Sequence, residues 1–191
     1  VVQVSAGRNQ GTGTLLYDGR AVLTAAHIVE GVSASSDFSV TFTIDGRRLE
    51  QSVANHTVHP DYDVPSNNYD LALLWLDGAG PAASERYQLY RGDDEIGQVT
   101  KLIGYGATGT GLQGSVISAD GESRLVENRI DTEGAALKTF LGRSMAWNPA
   151  AGEQLLVDFD NGLPGNDAFG TLTGQTGLGL GSDEGLIARG D

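Results

Sequence analysis

Residues 11–29 read GTGTLLYDGRAVLTAAHIV, and they decide the fold. Two apolar bursts, 14–16 and 21–24, flank the turn signal Asp18-Gly19, a pattern that predicts a β-hairpin. The second strand runs into Thr24-Ala25-Ala26-His27, and residues 25–30 are the one stretch that hints at a short helical turn. A histidine just after a buried strand, flanked by small residues, is held by packing yet keeps room around its ring. That arrangement suits a general base. For a histidine taken alone, a half-buried structural role is the commoner reading.

Outward from this hairpin, apolar residues alternate or come in short bursts, at 1–4, 38–44, 71–76, 99–105, 115–118, 124–130, 136–141 and 155–159. Glycine is abundant, at 28 of 191 residues, proline is scarce at 5, and Asp45-Gly46 supplies a second hairpin signal. The expected class is all-β, a barrel or sandwich with its strand edges closed off. Residues 77–86, DGAGPAASER, are rich in small and turn-forming residues and read as a linker between halves 1–85 and 86–191.

Composition narrows the function. With 25 acidic against 12 basic residues the formal charge is -13, and only Lys101 and Lys138 are lysines, so nucleic acid, which demands a basic stripe, is not an expected partner. There is no cysteine, which removes disulfides and thiolate metal sites. No apolar run reaches the roughly 18 residues of a membrane-spanning helix, so no membrane span is expected.

In residues 67–76, NNYDLALLWL, one acid opens an otherwise apolar strand. A carboxylate buried there needs a partner to offset its desolvation. His27 could be that partner, and an imidazole held by a carboxylate has its tautomer fixed and its protonated form stabilised. Taken alone, Asp70 reads equally well as a turn acid.

Together with the terminal Gly185-Leu186-Ile187-Ala188-Arg189-Gly190-Asp191, these segments resemble the chymotrypsin-like (trypsin-type) serine proteases, whose patterns T-A-A-H, D-[IL]-A-L-L and G-D-S-G-G-P occur in this chain order. Gln3-Val4-Ser5, His59-Pro60-Asp61-Tyr62 and Gly104-Tyr105-Gly106 add further matches, the last in place of the commoner Gly-Trp-Gly. The resemblance implies two six-stranded antiparallel β-barrels, the second incomplete in this chain. It makes His27 the general base and acid, Asp70 its orienting carboxylate, and Gly190 a backbone donor to the oxyanion hole. The nucleophilic serine would follow Asp191, so a complementary C-terminal polypeptide beginning with Ser is the expected partner, and a protein or peptide the expected substrate. A noncatalytic binding or scaffold module is the alternative reading. No cofactor is implied.

The same resemblance gives Asp191 an activating or structural role. The chain opens Val1-Val2-Gln3-Val4-Ser5, like a later strand of the family, so Asp191 is expected to pair with an upstream segment or with Arg189, Arg124 or Arg129. The base of the specificity pocket falls on Leu186, which implies apolar or small side chains, although Asp183 and Glu184 lie close by. The family and the lack of cysteine point to a bacterial protein, secreted to an extracellular or periplasmic site.

Residues 112–182 are longer than the usual second-barrel segment and are expected to hold insertions. Within them, 158–167 read DFDNGLPGND, dense in oxygen ligands but without the glutamate that ends a calcium loop, and so expected to be a solvated turn. His56 and His59 lack cysteine partners and are expected to be structural, so no metal site is assigned.

Overall fold

Period-two alternation builds the first half of the chain. In the computed structural model, which describes residues 1–117, 120–174, 179–180 and 184–188, β1 (Val2–Ala6) turns Val2, Val4 and Ala6 inward, all buried. It is joined by β2 (Asn9–Leu15), β3 (Ala21–Thr24), β4 (Phe38–Ile44), β5 (Arg47–Val58) and β6 (Ala72–Leu76). These strands close into an antiparallel barrel of order β1-β2-β3-β6-β5-β4. Leu15, Val22, Val40, Phe42, Val53 and Leu74 fill its interior with the β1 valines.

Both turn signals act as read. Asp18 Oδ1 accepts the backbone N–H groups of Arg20 and Ala21 at 2.9 and 3.0 Å, closing the β2–β3 turn. Those two hydrogen bonds hold the Asp18 carboxyl below the usual aspartate range. Asp45 and Gly46 both have positive φ, 49° and 75°, the geometry of the two-residue turn whose twist matches the flanking strands.

The polar run in β5 has no apolar burst and was not anticipated as a strand; it makes closure possible. Residues Arg47 to Ser52 pair with β4 and Val53 to Val58 pair with β6, with a register shift between Val53 and Asn55. One bent strand thereby serves both neighbours, as a bulge allows. Packing inside is close: a β-carbon on Gly13 would lie 2.6 Å from Val22 Cγ1 and 2.8 Å from Val4 Cγ2.

Seven further strands make up the second half: β7 (Val99–Gly104), β8 (Ala107–Thr110), β9 (Gly114–Ile117), β10 (Arg124–Arg129), β11 (Thr132–Glu133), β12 (Leu155–Leu156) and β13 (Gly185–Ala188). They form the sheets β10-β7, β13-β8-β9 and β11-β12, and none closes among the described residues. The architecture is all-β and chymotrypsin-like, with one closed six-stranded barrel and an incomplete second sheet system.

Helix α1 (Ala26–Val29) occupies the anticipated helical turn, and α2 (Gly134–Leu141) corrects the reading of residues 136–141 as a β burst. Ala, Leu and Lys are strong helix formers. Leu137 buries the inner face of α2, while Lys138 Nζ donates to the carbonyls of Met145 and Trp147 at 2.7 and 3.1 Å. A third short helix, α3 (Ala168–Thr173), begins at Asp167. Residues 155–159 pair only over β12, because beyond it the Asp158 N–H turns to the Asp131 carboxylate at 2.8 Å.

Two substitutions test the barrel interior by urea unfolding. Leu74→Ala, at a fully buried position, is expected to cost about 2–5 kcal/mol. Gly13→Ala, which forces a methyl against two valines, is expected to cost about 1–3 kcal/mol.

Candidate active site

Helix α1 buries Ala26, Ile28 and Val29, which leaves His27 as the residue facing out, its side chain 46% exposed. The start of a helix has backbone N–H groups with no partner in the helix, and Ala25 supplies no side-chain cap. Asp70 fills that place from the segment leading into β6. Its Oδ1 accepts the His27 backbone N–H at 2.8 Å, and its Oδ2 stands 2.7 Å from His27 Nδ1.

One carboxylate thus fixes both the backbone and the ring of the histidine. An ionised carboxylate only accepts hydrogen bonds, so the proton between Oδ2 and the ring belongs to Nδ1. In the neutral imidazole Nε2 then keeps its lone pair, as proton abstraction requires.

Asp70 is itself held in place by a strained approach. Asn67 and Tyr69 have positive φ, 51° and 54°, unusual for residues with side chains. Tyr69 stacks on His59, with ring centroids 4.9 Å apart and planes 8° from parallel. His59 Nδ1 also accepts the Asp61 N–H at 3.2 Å, and the His56 ring lies 4.6 Å from that of Phe38, so both histidines make structural contacts.

Asn68 reaches the other half of the chain. Its Nδ2 donates to the Asn148 carbonyl at 3.1 Å, while its Oδ1 accepts the Ala150 N–H at 2.9 Å and Gln154 Nε2 at 3.3 Å. Gln154 Nε2 also donates to the Ser66 carbonyl at 2.8 Å. Asn68 and Gln154 were missed from sequence, since neither belongs to a recognisable pattern. The one signal was two asparagines directly before Tyr69-Asp70.

Gly190 and Asp191, with Asp183 and Arg189, lie outside the described residues, and for Leu186 the structure gives its backbone pairing with Gly109 in β13–β8. Arg124 is engaged by Asp120 through two contacts of 2.7 and 2.6 Å, and Arg129 Nη1 donates to the Gly97 carbonyl at 3.1 Å. Glu184 is fully buried, accepting the N–H groups of Leu180 and Asp160 at 2.7 and 3.3 Å.

The solvated turn expected at 158–167 is found at residues 162–166, which are exposed, but its first residues are drawn into the interior. Asp158 and Asp160 are 8% and 5% exposed, beside buried Asn128, Asp131 and Glu184. Asn128 Nδ2 bridges the carbonyls of Asp158 and Gly185 at 2.7 and 3.1 Å, tying the segment to β13. Burial, with repulsion from neighbouring carboxylates second, pushes Asp131 and Asp158 up to about 6. Glu184 is raised for the same reasons.

A barrel carrying a histidine on the helix after its third strand, held by an aspartate at the start of its sixth, defines a chymotrypsin-like protease scaffold. The chain belongs to the trypsin family, whose model, described as Trypsin, matches residues 1–134. Among solved structures it is similar to neuropsin, a serine protease expressed in the limbic system of mouse brain. The match has a TM-score of 0.60 at 18% identity and covers 85% of this chain and 70% of that one. It is also similar to the scabies mite inactivated protease paralogue S-D1, with a TM-score of 0.61 at 15% identity over 76% of this chain and 62% of that one. A search of curated protein sequences finds no match.

Two measurements test the geometry. Nitrogen-15 spectra of labelled histidine are expected to show His27 with its proton on Nδ1, a bias that Asp70→Ala removes. Asn68→Ala, which orphans the Asn148 carbonyl and the Ala150 N–H, is expected to lower stability by about 1–3 kcal/mol in chemical unfolding.

Proposed function

We propose that this chain carries the acid-base pair of a serine endopeptidase, His27 as general base and acid and Asp70 as the residue that orients it. The double contact of Asp70 with His27 supports the reading, because it holds the ring by Nδ1 and so gives the neutral imidazole the tautomer whose Nε2 can accept a proton. In this reaction Nε2 takes the hydroxyl proton of a serine as its oxygen attacks a peptide carbonyl. The imidazolium, steadied by Asp70, then gives that proton to the leaving amine, and water hydrolyses the acyl-enzyme by the same route. The nucleophile is proposed to be the serine that follows Asp191 in the G-D-S-G-G-P pattern, on a continuing or a separate polypeptide.

Gly190 is proposed to donate its backbone N–H to the oxyanion, a contribution typically worth about 3 kcal/mol of transition-state stabilisation. Asp191 would order that turn, and Leu186 would favour apolar or small side chains at the cleavage site. The working division is 1–85 for the half bearing His27 and Asp70 and 86–191 for the half completing the cleft. A bacterial, secreted setting fits the family resemblance and the absence of cysteine.

A fluorogenic peptide assay on the protein with the serine-bearing segment in place is the test. His27→Ala is expected to reduce kcat/KM at least ~10⁴-fold, and Asp70→Asn about 10⁴-fold by disturbing the tautomer. Activity that survives His27→Ala would refute the assignment.

A further inference from the structure

We propose that Asp158, Asp160 and Asp167 form a binding site for a hard divalent cation of calcium's size. One carboxylate oxygen from each lies within 4.8 Å of the others. Oxygens bound to calcium at about 2.4 Å stand up to about 4.8 Å apart, whereas magnesium at about 2.1 Å draws them to about 4.2 Å or less. Three oxygens inside that limit fit one calcium coordination sphere.

A separate observation points to a ligand at this place. Asp158 is more than nine-tenths buried; its carboxylate accepts the Phe169 backbone N–H, but its Oδ1, shielded from solvent, has no hydrogen-bond partner. A buried carboxylate oxygen left this way costs several kcal/mol unless a cation or donor meets it. Among the described residues, no Lys, Arg or His forms an ion pair with Asp158, Asp160 or Asp167.

The three carboxylates are also held in advance of any ligand. Asp160 Oδ1 accepts the Gly162 N–H at 2.6 Å, and Asp167 Oδ1 caps α3 by accepting the Gly170 N–H. Each carboxyl is thereby oriented while its second oxygen remains to face an ion. Asp158 is fixed through its backbone by Asn128 and Asp131. Gly111 packs so closely on the Asp160 carbonyl that a β-carbon there would fall 1.2 Å from the oxygen, so this turn has no room to shift toward β8. Water would complete the coordination at the half-exposed Asp167. This is not a helix-loop-helix calcium loop, since the donors stand at the first, third and tenth positions of 158–167 and a six-residue helix follows.

Titration calorimetry of the chelator-treated full chain with calcium chloride is the test, with circular-dichroism melting in parallel. The expected result is one ion per chain with a dissociation constant below a millimolar, a melting temperature raised by calcium, and at least tenfold weaker binding of magnesium. Asp167→Asn keeps a residue that caps helices equally well, so the variant is expected to fold and to bind calcium at least tenfold more weakly. Asp93→Asn, on an exposed acidic stretch, should leave binding unchanged. No heat and no change in melting with millimolar calcium would overturn the proposal. Unaltered affinity in Asp167→Asn, equal loss in Asp93→Asn, or magnesium binding as tight as calcium would do so as well. None of these readouts depends on peptidase activity.

Discussion

The acid-base geometry depends on one carboxylate accepting two hydrogen bonds from the same residue. Asp70 takes the backbone N–H and the ring Nδ1 of His27, so position and orientation of the imidazole are set together. A contact to the ring alone would leave the short helix free to pivot, and a contact to the backbone alone would leave the ring free to turn. The barrel supplies what this requires: β3 and β6 are adjacent and antiparallel, which brings the end of one strand beside the start of the other. Sequence separation of 43 residues is converted into a distance of under 3 Å by strand pairing.

Much of this was legible beforehand, for physical reasons that can be named. β1, β3, β4 and β6 announce themselves because one face of each is buried, and Asp18-Gly19 and Asp45-Gly46 fix the turns between strands. His27 and Asp70 stand out because each interrupts a pattern of small or apolar residues. β5 was illegible because its residues from 47 to 52 are largely exposed and pair through their backbones, leaving no mark in side-chain hydropathy. Residues 136–141 failed in the opposite way, since a short apolar run fits strand and helix alike until Leu137 finds its contact.

The acidic stretch at 158–167 shows a different limit. Composition reads Asp, Asn and Gly together as a solvated turn, because that is where such residues usually lie. Here Asn128, Asp131 and Glu184, all distant in sequence, bring donors and further carboxylates to the start of the segment, where Asp158 and Asp160 are buried, while 162–166 stay exposed. Such a polar interior is a property of the assembled second half, and no local window contains it.

The bonds made by Asn68 carry a consequence for the order of assembly. Every strand of the closed barrel lies between residues 2 and 76, so that unit has all its partners early in synthesis. The turn that carries Asp70 does not, because Asn68 bonds Asn148 and Ala150, 80 and 82 residues further along. A growing chain therefore holds a finished barrel with its histidine on the surface while the aspartate beside it still lacks its anchor. The approach to Asp70 gains its anchors only once residues 148–154 are made, and damage there reaches it through Asn68 and through Gln154, which bonds the Ser66 carbonyl.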